Sequence, residues 1–280
     1  MIRYIYTEFK KALKSQYSRK YILGIIVVCV LANLAMIAFR DYVYGTNDGT
    51  YGYNIIMFAG GFFWLPYYTT IFIADIVFGR TYPDPFIKDS ITKNLRRPHL
   101  YIGKLIATWL MLAVYIVLSF VFFIGISTFF QLSTGTLSGD VVKDFAINVL
   151  CAAPLLAAGC SLGLMSLYCF DKKIRAFAAF WIITILLPRI IMLLGAEPLS
   201  IGICKIIKDK VLITSQFTTL QFFASRNVQQ ILISSAVYII ISTLIGGYVF
   251  CRKRIDNLPA DMDGRNKKGA QRSSAGNKGK

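Results

Sequence analysis

Residues 105–130 read LIATWLMLAVYIVLSFVFFIGISTFF, 26 consecutive positions without a charged side chain. A helix rising about 1.5 Å per residue needs about 20 mostly apolar residues to cross the roughly 30 Å hydrocarbon layer of a bilayer. This run exceeds that length and predicts a transmembrane helix. Five further stretches qualify on either side of it: 21–39, 55–78, 145–170, 176–194 and 230–251. The runs 55–78, 105–130 and 145–170 are long enough to tilt or to emerge from the membrane as helix. The first run has 19 residues, longer than the usual apolar core of about 7–15 in a cleaved signal peptide, and reads as a retained span. The composition agrees, with 56% hydrophobic and 16% charged residues over 280 positions, where soluble domains average about 25% charged. A soluble enzyme with one polar-coated core is excluded. The expected fold class is an all-α integral membrane protein with six transmembrane helices.

The gaps between runs set the orientation. The chain carries 31 Lys+Arg against 14 Asp+Glu, a formal charge of +17. Segments 1–20, 79–104, 171–175 and 252–280 hold six, six, three and nine Lys or Arg, 24 in all. The alternate gaps hold six: Arg40, Lys143, Lys205, Lys208, Lys210 and Arg226. Arg189, inside the fifth run, is the remainder. Basic residues accumulate on the cytoplasmic side, so both termini are expected inside, N-in and C-in. Because the basic residues lie between spans rather than on one stripe, they fit anionic lipid headgroups and not nucleic acid.

Within 1–20, Ile2, Ile5, Phe9, Leu13 and Tyr17 recur at spacings of three and four, with Lys10, Lys11 and Lys14 largely opposite. That pattern predicts an amphipathic helix in the headgroup plane; the alternative is a disordered basic leader. The tail 252–280 becomes Gly-, Ser-, Asn- and Lys-rich, and from Asp261 onward Met262 is the one apolar side chain larger than alanine. It cannot bury enough surface to offset its ordering entropy and is expected to be disordered.

The gap after the second run is the most informative: residues 73–107 read IADIVFGRTYPDPFIKDSITKNLRRPHLYIGKLIA. A bare connector between two helices needs only a few residues. This one carries Phe86, and then Ile87, Ile91 and Leu95 four apart, after Pro83-Asp84-Pro85 and before Pro98. The spacing predicts a short amphipathic helix outside the bilayer. Its apolar ridge, flanked by Lys88, Lys93, Arg96 and Arg97, suits either a protein groove or the lipid surface.

These residues resemble the intracellular loop of type-2 ABC exporter permeases (the ABC-2 family), including bacitracin- and lantibiotic-type permeases. Asp75, the Gly79-Arg80-Thr81 run, the ridge 87–95, Arg97 and Lys104 follow the family's order and approximate spacing. The family usually has Glu at the position of Asp75, and here Arg80 separates the Gly from the Thr. The exit of the sixth run, Phe250-Cys251-Arg252-Lys253-Arg254-Ile255-Asp256, is also similar, so the likeness covers about 1–256. The resemblance implies an elbow helix at 1–20, a six-span domain at 21–251 with a coupling-helix loop at 79–104 and an external loop at 195–229, and a cytoplasmic tail at 252–280. It further implies a separate ABC ATPase subunit that binds ATP and Mg, docks on Phe86, Ile87, Ile91, Leu95 and Arg97, and rocks the spans. Asp75, Gly79, Thr81 and Lys104 support the loop. A second permease subunit, identical or different, completes the pathway in a bacterial plasma membrane. The chain's lack of a G-x-x-x-x-G-K-[ST] phosphate cradle fits that division of labour. On the same resemblance, the cargo expected is an antimicrobial peptide or drug moved outward.

Charges inside a bilayer cost about 2.5–3.5 kcal/mol at mid-span. Arg189, directly after Pro188, either lines an outer vestibule or snorkels to the headgroups. Asp75 is expected to pair with Arg80 or Lys104, or to relay protons. Pro66, Pro154 and Pro188 can kink their spans, Gly60-Gly61 permits close approach, and Asn33 and Asn148 can bond between helices. Residues 199–211 carry apolar positions at helical spacing and can form an external cap. Of six cysteines, five lie in or at the ends of apolar runs and Cys204 lies in a gap; with no CxxC pair they read as packing residues, with neither metal nor disulfide.

The rival classes are an intramembrane enzyme and an ATPase-independent channel or membrane scaffold. The single histidine, His99, sits in the loop beside Pro98, and there is neither an HExxH motif nor a pair of adjacent acidic residues. Catalytic residues are therefore expected to be absent. A channel shares the hydropathy but has no need of the ridge at 87–95.

Overall fold

The structure, a computed structural model, describes residues 1–43, 59, 62–79, 97–131, 139–170, 172–195, 202–220 and 227–252. Among these residues every regular element is helical. In chain order they are α1 (Ile2–Leu13), α2 (Gln16–Val43), α3 (Trp64–Phe78), α4 (Arg97–Gln131), α5 (Gly139–Cys169), α6 (Lys173–Trp181), a π-helical turn (Ile182–Leu186), α7 (Leu187–Leu194), α8 (Gly202–Lys210), α9 (Ile213–Leu220) and α10 (Val228–Arg252).

Five helical stretches are long and apolar enough to cross a bilayer: Gln16–Ala35, Pro98–Phe129, Val142–Cys169, Lys173–Leu194 and Val228–Arg252. The second expected span appears as α3, an apolar helix of 15 residues, and most of 55–63 lies outside the described residues. Helix boundaries differ from the hydropathy runs because backbone hydrogen bonding continues past the apolar stretch. Thus α2 opens at Gln16, five residues before its run, and α4 opens at Arg97, eight before its run. Pro98 is tolerated because it falls in the first turn, where its missing N–H has no partner to lose. The loop expected over 79–104 is correspondingly shorter, and Lys104 lies two turns inside α4.

Helix α5 is the centre of the bundle, packed chiefly against α10 and α3, with α4 beside it and α2 outside α4. The approach of α3 is set by missing side chains. A Cβ on Gly159 would lie 2.8 Å from Thr70 Oγ1 and from the Tyr67 ring, and one on Gly163 would lie 3.1 Å from the Ile71 Cα. These glycines form a G-x-x-x-G face, the arrangement that lets helix backbones close in lipid. Gly60 and Gly61, the positions expected to do this, lie outside the described residues.

Hydrogen bonds join the outer helices. Tyr115 donates to Ser18 Oγ at 2.8 Å, and Ser127 donates to Asn33 Oδ1 at 2.9 Å, fixing α2 on α4. Trp109 Nε1 donates to Ser161 Oγ at 3.2 Å, tying α4 to α5. Asn148 Nδ2 reaches the Leu220 carbonyl of α9 at 3.4 Å. Both asparagines therefore bond between helices, as expected. Pro66 sits in the first turn of α3 and interrupts nothing, whereas α5 runs through Pro154. The π-helical turn immediately precedes α7, whose second residue is Pro188. A wider turn accommodates the proline ring and the carbonyl left without a donor because proline has no N–H.

Replacing Gly159 with Leu drives a side chain into Thr70 and Tyr67. It should cost about 1–3 kcal/mol or more, read as a lower apparent melting temperature of the detergent-solubilised protein. Gly24→Ala, at a position with nothing within 4 Å of the added carbon, should stay within about 0.5 kcal/mol.

Candidate functional site

Helix α3 ends at Gly79, which adopts φ +91° and donates its N–H to the Asp75 carbonyl at 3.0 Å. Glycine takes this left-handed backbone without a Cβ penalty. The last carbonyls of a helix lack intrahelical partners, and here Lys104 Nζ donates to the Phe78 carbonyl at 3.1 Å. An ammonium at this end also suits the negative pole of the α3 dipole. The same ammonium lies 3.6 Å from Glu8 Oε2, with side chains 2% and 3% exposed, and 5.7 Å from the Phe78 ring centroid.

Glu8 arrives on α1 together with Tyr4 and Ala12, the buried positions of that helix. Gly103 makes room for them: a Cβ there would be 2.7 Å from two atoms of the Tyr4 ring. The apolar face read from the sequence is only partly covered by the protein. Ile5 and Phe9 pack on the core, but Ile2, Leu13 and Tyr17 are exposed. The protein-facing stripe of α1 is Tyr4–Glu8–Ala12, and its apolar stripe is left for another medium. Among the first 20 residues Glu8 is the one acid, a signal that would have marked it.

Of the two partners expected for Asp75, Lys104 instead meets Glu8 and the Phe78 carbonyl. Lys173, opening α6, donates to Asp75 Oδ1 at 2.5 Å, with side chains 41% and 22% exposed. Arg80 lies outside the described residues. Beside this pair opens a cleft of about 380 Å³ lined by Glu8, Lys11, Ser15, Asp75, Gly79 and Lys173, among others. So Asp75, Gly79 and Lys104 do come together, joined by Glu8, Tyr4, Gly103 and Lys173, which sequence reasoning missed. Phe86, Ile87, Ile91, Leu95 and Thr81 lie outside the described residues, as does the Arg97 side chain; the Arg97 backbone begins α4. Arg189 is exposed on α7, at the other end of the bundle. No group of three or more His, Cys, Asp or Glu able to hold a metal occurs among the described residues. One lysine of α4 thus ties the leader helix to the end of α3.

The sequence model of the ABC-2 family transporter proteins matches residues 4–173, running from Tyr4 of this junction to Lys173. The chain belongs to the ABC-2 family. It is a multi-pass membrane protein and a membrane permease of an ABC transporter. ABC-2 permeases are generally non-catalytic membrane subunits that work with an ATPase subunit. No curated protein matches the chain, and no solved structure matches it.

The Glu8–Lys104 and Asp75–Lys173 pairs of this ABC-2 protein differ in burial, and that decides their worth. Glu8→Lys leaves two buried cations and should cost about 3–5 kcal/mol, while the exchanged pair Glu8→Lys with Lys104→Glu should recover part of it. Asp75→Asn removes a partly exposed pair worth under about 1 kcal/mol. Apparent melting temperatures of the four purified proteins, wild type included, give the ranking.

Proposed function

We propose that this chain is the permease subunit of an ABC exporter, with six spans and both termini in the cytoplasm of a bacterial cell. In this reading the segment 86–95 is a coupling helix. A separate ATPase, binding ATP and Mg, receives Phe86, Ile87, Ile91 and Leu95 in a groove, with Arg97 at its edge. ATP-driven closure of that partner moves the loop, which is continuous with the end of α3 and the start of α4. Glu8, Lys104 and Asp75, with Gly79 and Thr81 at the root of the loop, carry the motion to the leader helix and the base of α6. Two permease copies, or this chain and a related one, line the pathway, and Arg189 lies toward its outer mouth. The cargo is an amphipathic antimicrobial peptide or drug.

The observation that carries the reading is the extent of the family match, 4–173, which takes in most of α1, the loop and both lysines of the junction. Two lines support the orientation. The gaps at the α1 end of the bundle hold 24 Lys and Arg against six at the other end, and helices α3, α4 and α5 alternate in direction between those ends.

The expected result with Ile87→Asp/Ile91→Asp is loss of the ATPase from pull-downs of the tagged permease, by at least about tenfold, as for removal of a central apolar anchor. The permease itself should remain in the membrane fraction at normal abundance. Undiminished ATPase capture would show that 86–95 is not the docking helix.

A further inference from the structure

Helix α8 has three distinct faces at about 100° per residue. Cys204, Ile207 and Lys208 are half-buried toward the protein, where Gly195 at the end of α7 leaves room for the Cys204 carbonyl. Lys205 and Asp209 are exposed on a second face. Ile203 and Ile206 form a third, and they are 72% and 59% exposed. Two isoleucines on a nine-residue helix thus leave most of their surface outside the protein.

The position of α8 says what covers them. Its last carbonyls are held by neighbouring side chains: Gln230 Nε2 and Gln216 Nε2 donate to the Asp209 carbonyl at 3.1 and 3.3 Å, and Ser234 Oγ donates to the Lys210 carbonyl at 2.9 Å. Gln230 and Ser234 lie in the first two turns of the membrane-crossing α10. There Val228, Leu232 and Ile233 are exposed apolar residues, as are Ile190 and Leu193 on α7. Ile203 and Ile206 are exposed apolar residues of the same kind, on a helix whose end is hydrogen-bonded to the first turns of a membrane-crossing helix. The charge of the helix is cationic, with Lys205, Lys208 and Lys210 against Asp209.

We propose that α8 is an interfacial helix seated on anionic phospholipid. Ile203 and Ile206 enter the boundary of the acyl chains, and Lys205 and Lys210, both exposed, take headgroup phosphates. Long lysine stems place the ammonium at headgroup depth while the apolar face is immersed. The bilayer, through its anionic lipid, then holds the segment between the last two spans in place. This rests on the chain crossing a membrane and is independent of its cargo or of an ATPase.

The test uses the full-length protein in lipid nanodiscs, of phosphatidylcholine alone or mixed with phosphatidylglycerol. A photoreactive phenylalanine analogue in place of Ile206 should form an adduct with the mass of a phospholipid. In mixed discs phosphatidylglycerol should be captured over phosphatidylcholine. Lys205→Gln/Lys210→Gln should lower that preference by about fivefold per lysine at most. In the unsubstituted protein, amide exchange across 202–210 should be slower in the mixed discs, a readout that needs no variant to fold. A covalent dimer, a water-quenched probe, or equal capture of both lipids with unchanged exchange would each overturn the proposal. The first would make this face a contact between copies of the chain.

Discussion

Three tyrosine rings rest against glycines that leave room for them, and the bundle is organised around these sockets: Tyr67 on Gly159, Tyr101 on Gly246, and Tyr4 on Gly103. Between helices in hydrocarbon there is little hydrophobic gain, since lipid tails are as apolar as leucine, so association relies on close contact and on hydrogen bonds. Each socket supplies close contact between a pair of helices. The first joins α3 to the central α5, the second joins α4 to α10, and the third brings the leader helix onto α4. Bonds such as Tyr115 to Ser18 and Ser127 to Asn33 then fix rotation about those contacts.

The Glu8–Lys104 pair depends on the third socket. The contact of Tyr4 on Gly103, one turn before Glu8, sets α1 close to α4 where the ammonium lies beside the Phe78 carbonyl. Burying such a pair is costly unless its groups are satisfied, and here the lysine meets an acid, a helix-end carbonyl and an aromatic face. The result is a junction in which the leader and the two helices flanking the loop share one lysine. That lysine is 2% exposed, so the three helices meet in a dry contact at the foot of the loop.

Much of the fold was legible because a span is a property of about 20 residues and tolerates error in any one of them. The runs that became α2, α4, α5 and α10 illustrate this. Boundaries were less legible, since hydropathy reports the surrounding solvent while a helix ends where its hydrogen bonds do; α4 begins at Arg97 and not at Leu105 for that reason. The protein-facing stripe of α1 went unread for a related cause. Periodicity selects the apolar arc, and on a helix at a membrane surface that arc meets lipid, so the protein-facing arc is the one bearing Glu8. Asp75, Gly79 and Lys104 were found through a loop pattern, but their partners Glu8 and Lys173 come from distant parts of the chain and no local spacing announces them. The Gly159–Gly163 motif was present in plain sight within an apolar run.

The π-helical turn at Ile182–Leu186 has a geometric effect on everything after it. Such a turn holds one residue more than an α-turn, so the residues that follow lag by about 100° around the axis. The bearing of Arg189 is therefore set by local chain length as well as by its place in the sequence. A wheel drawn through this span with uniform pitch would assign its guanidinium to the wrong flank.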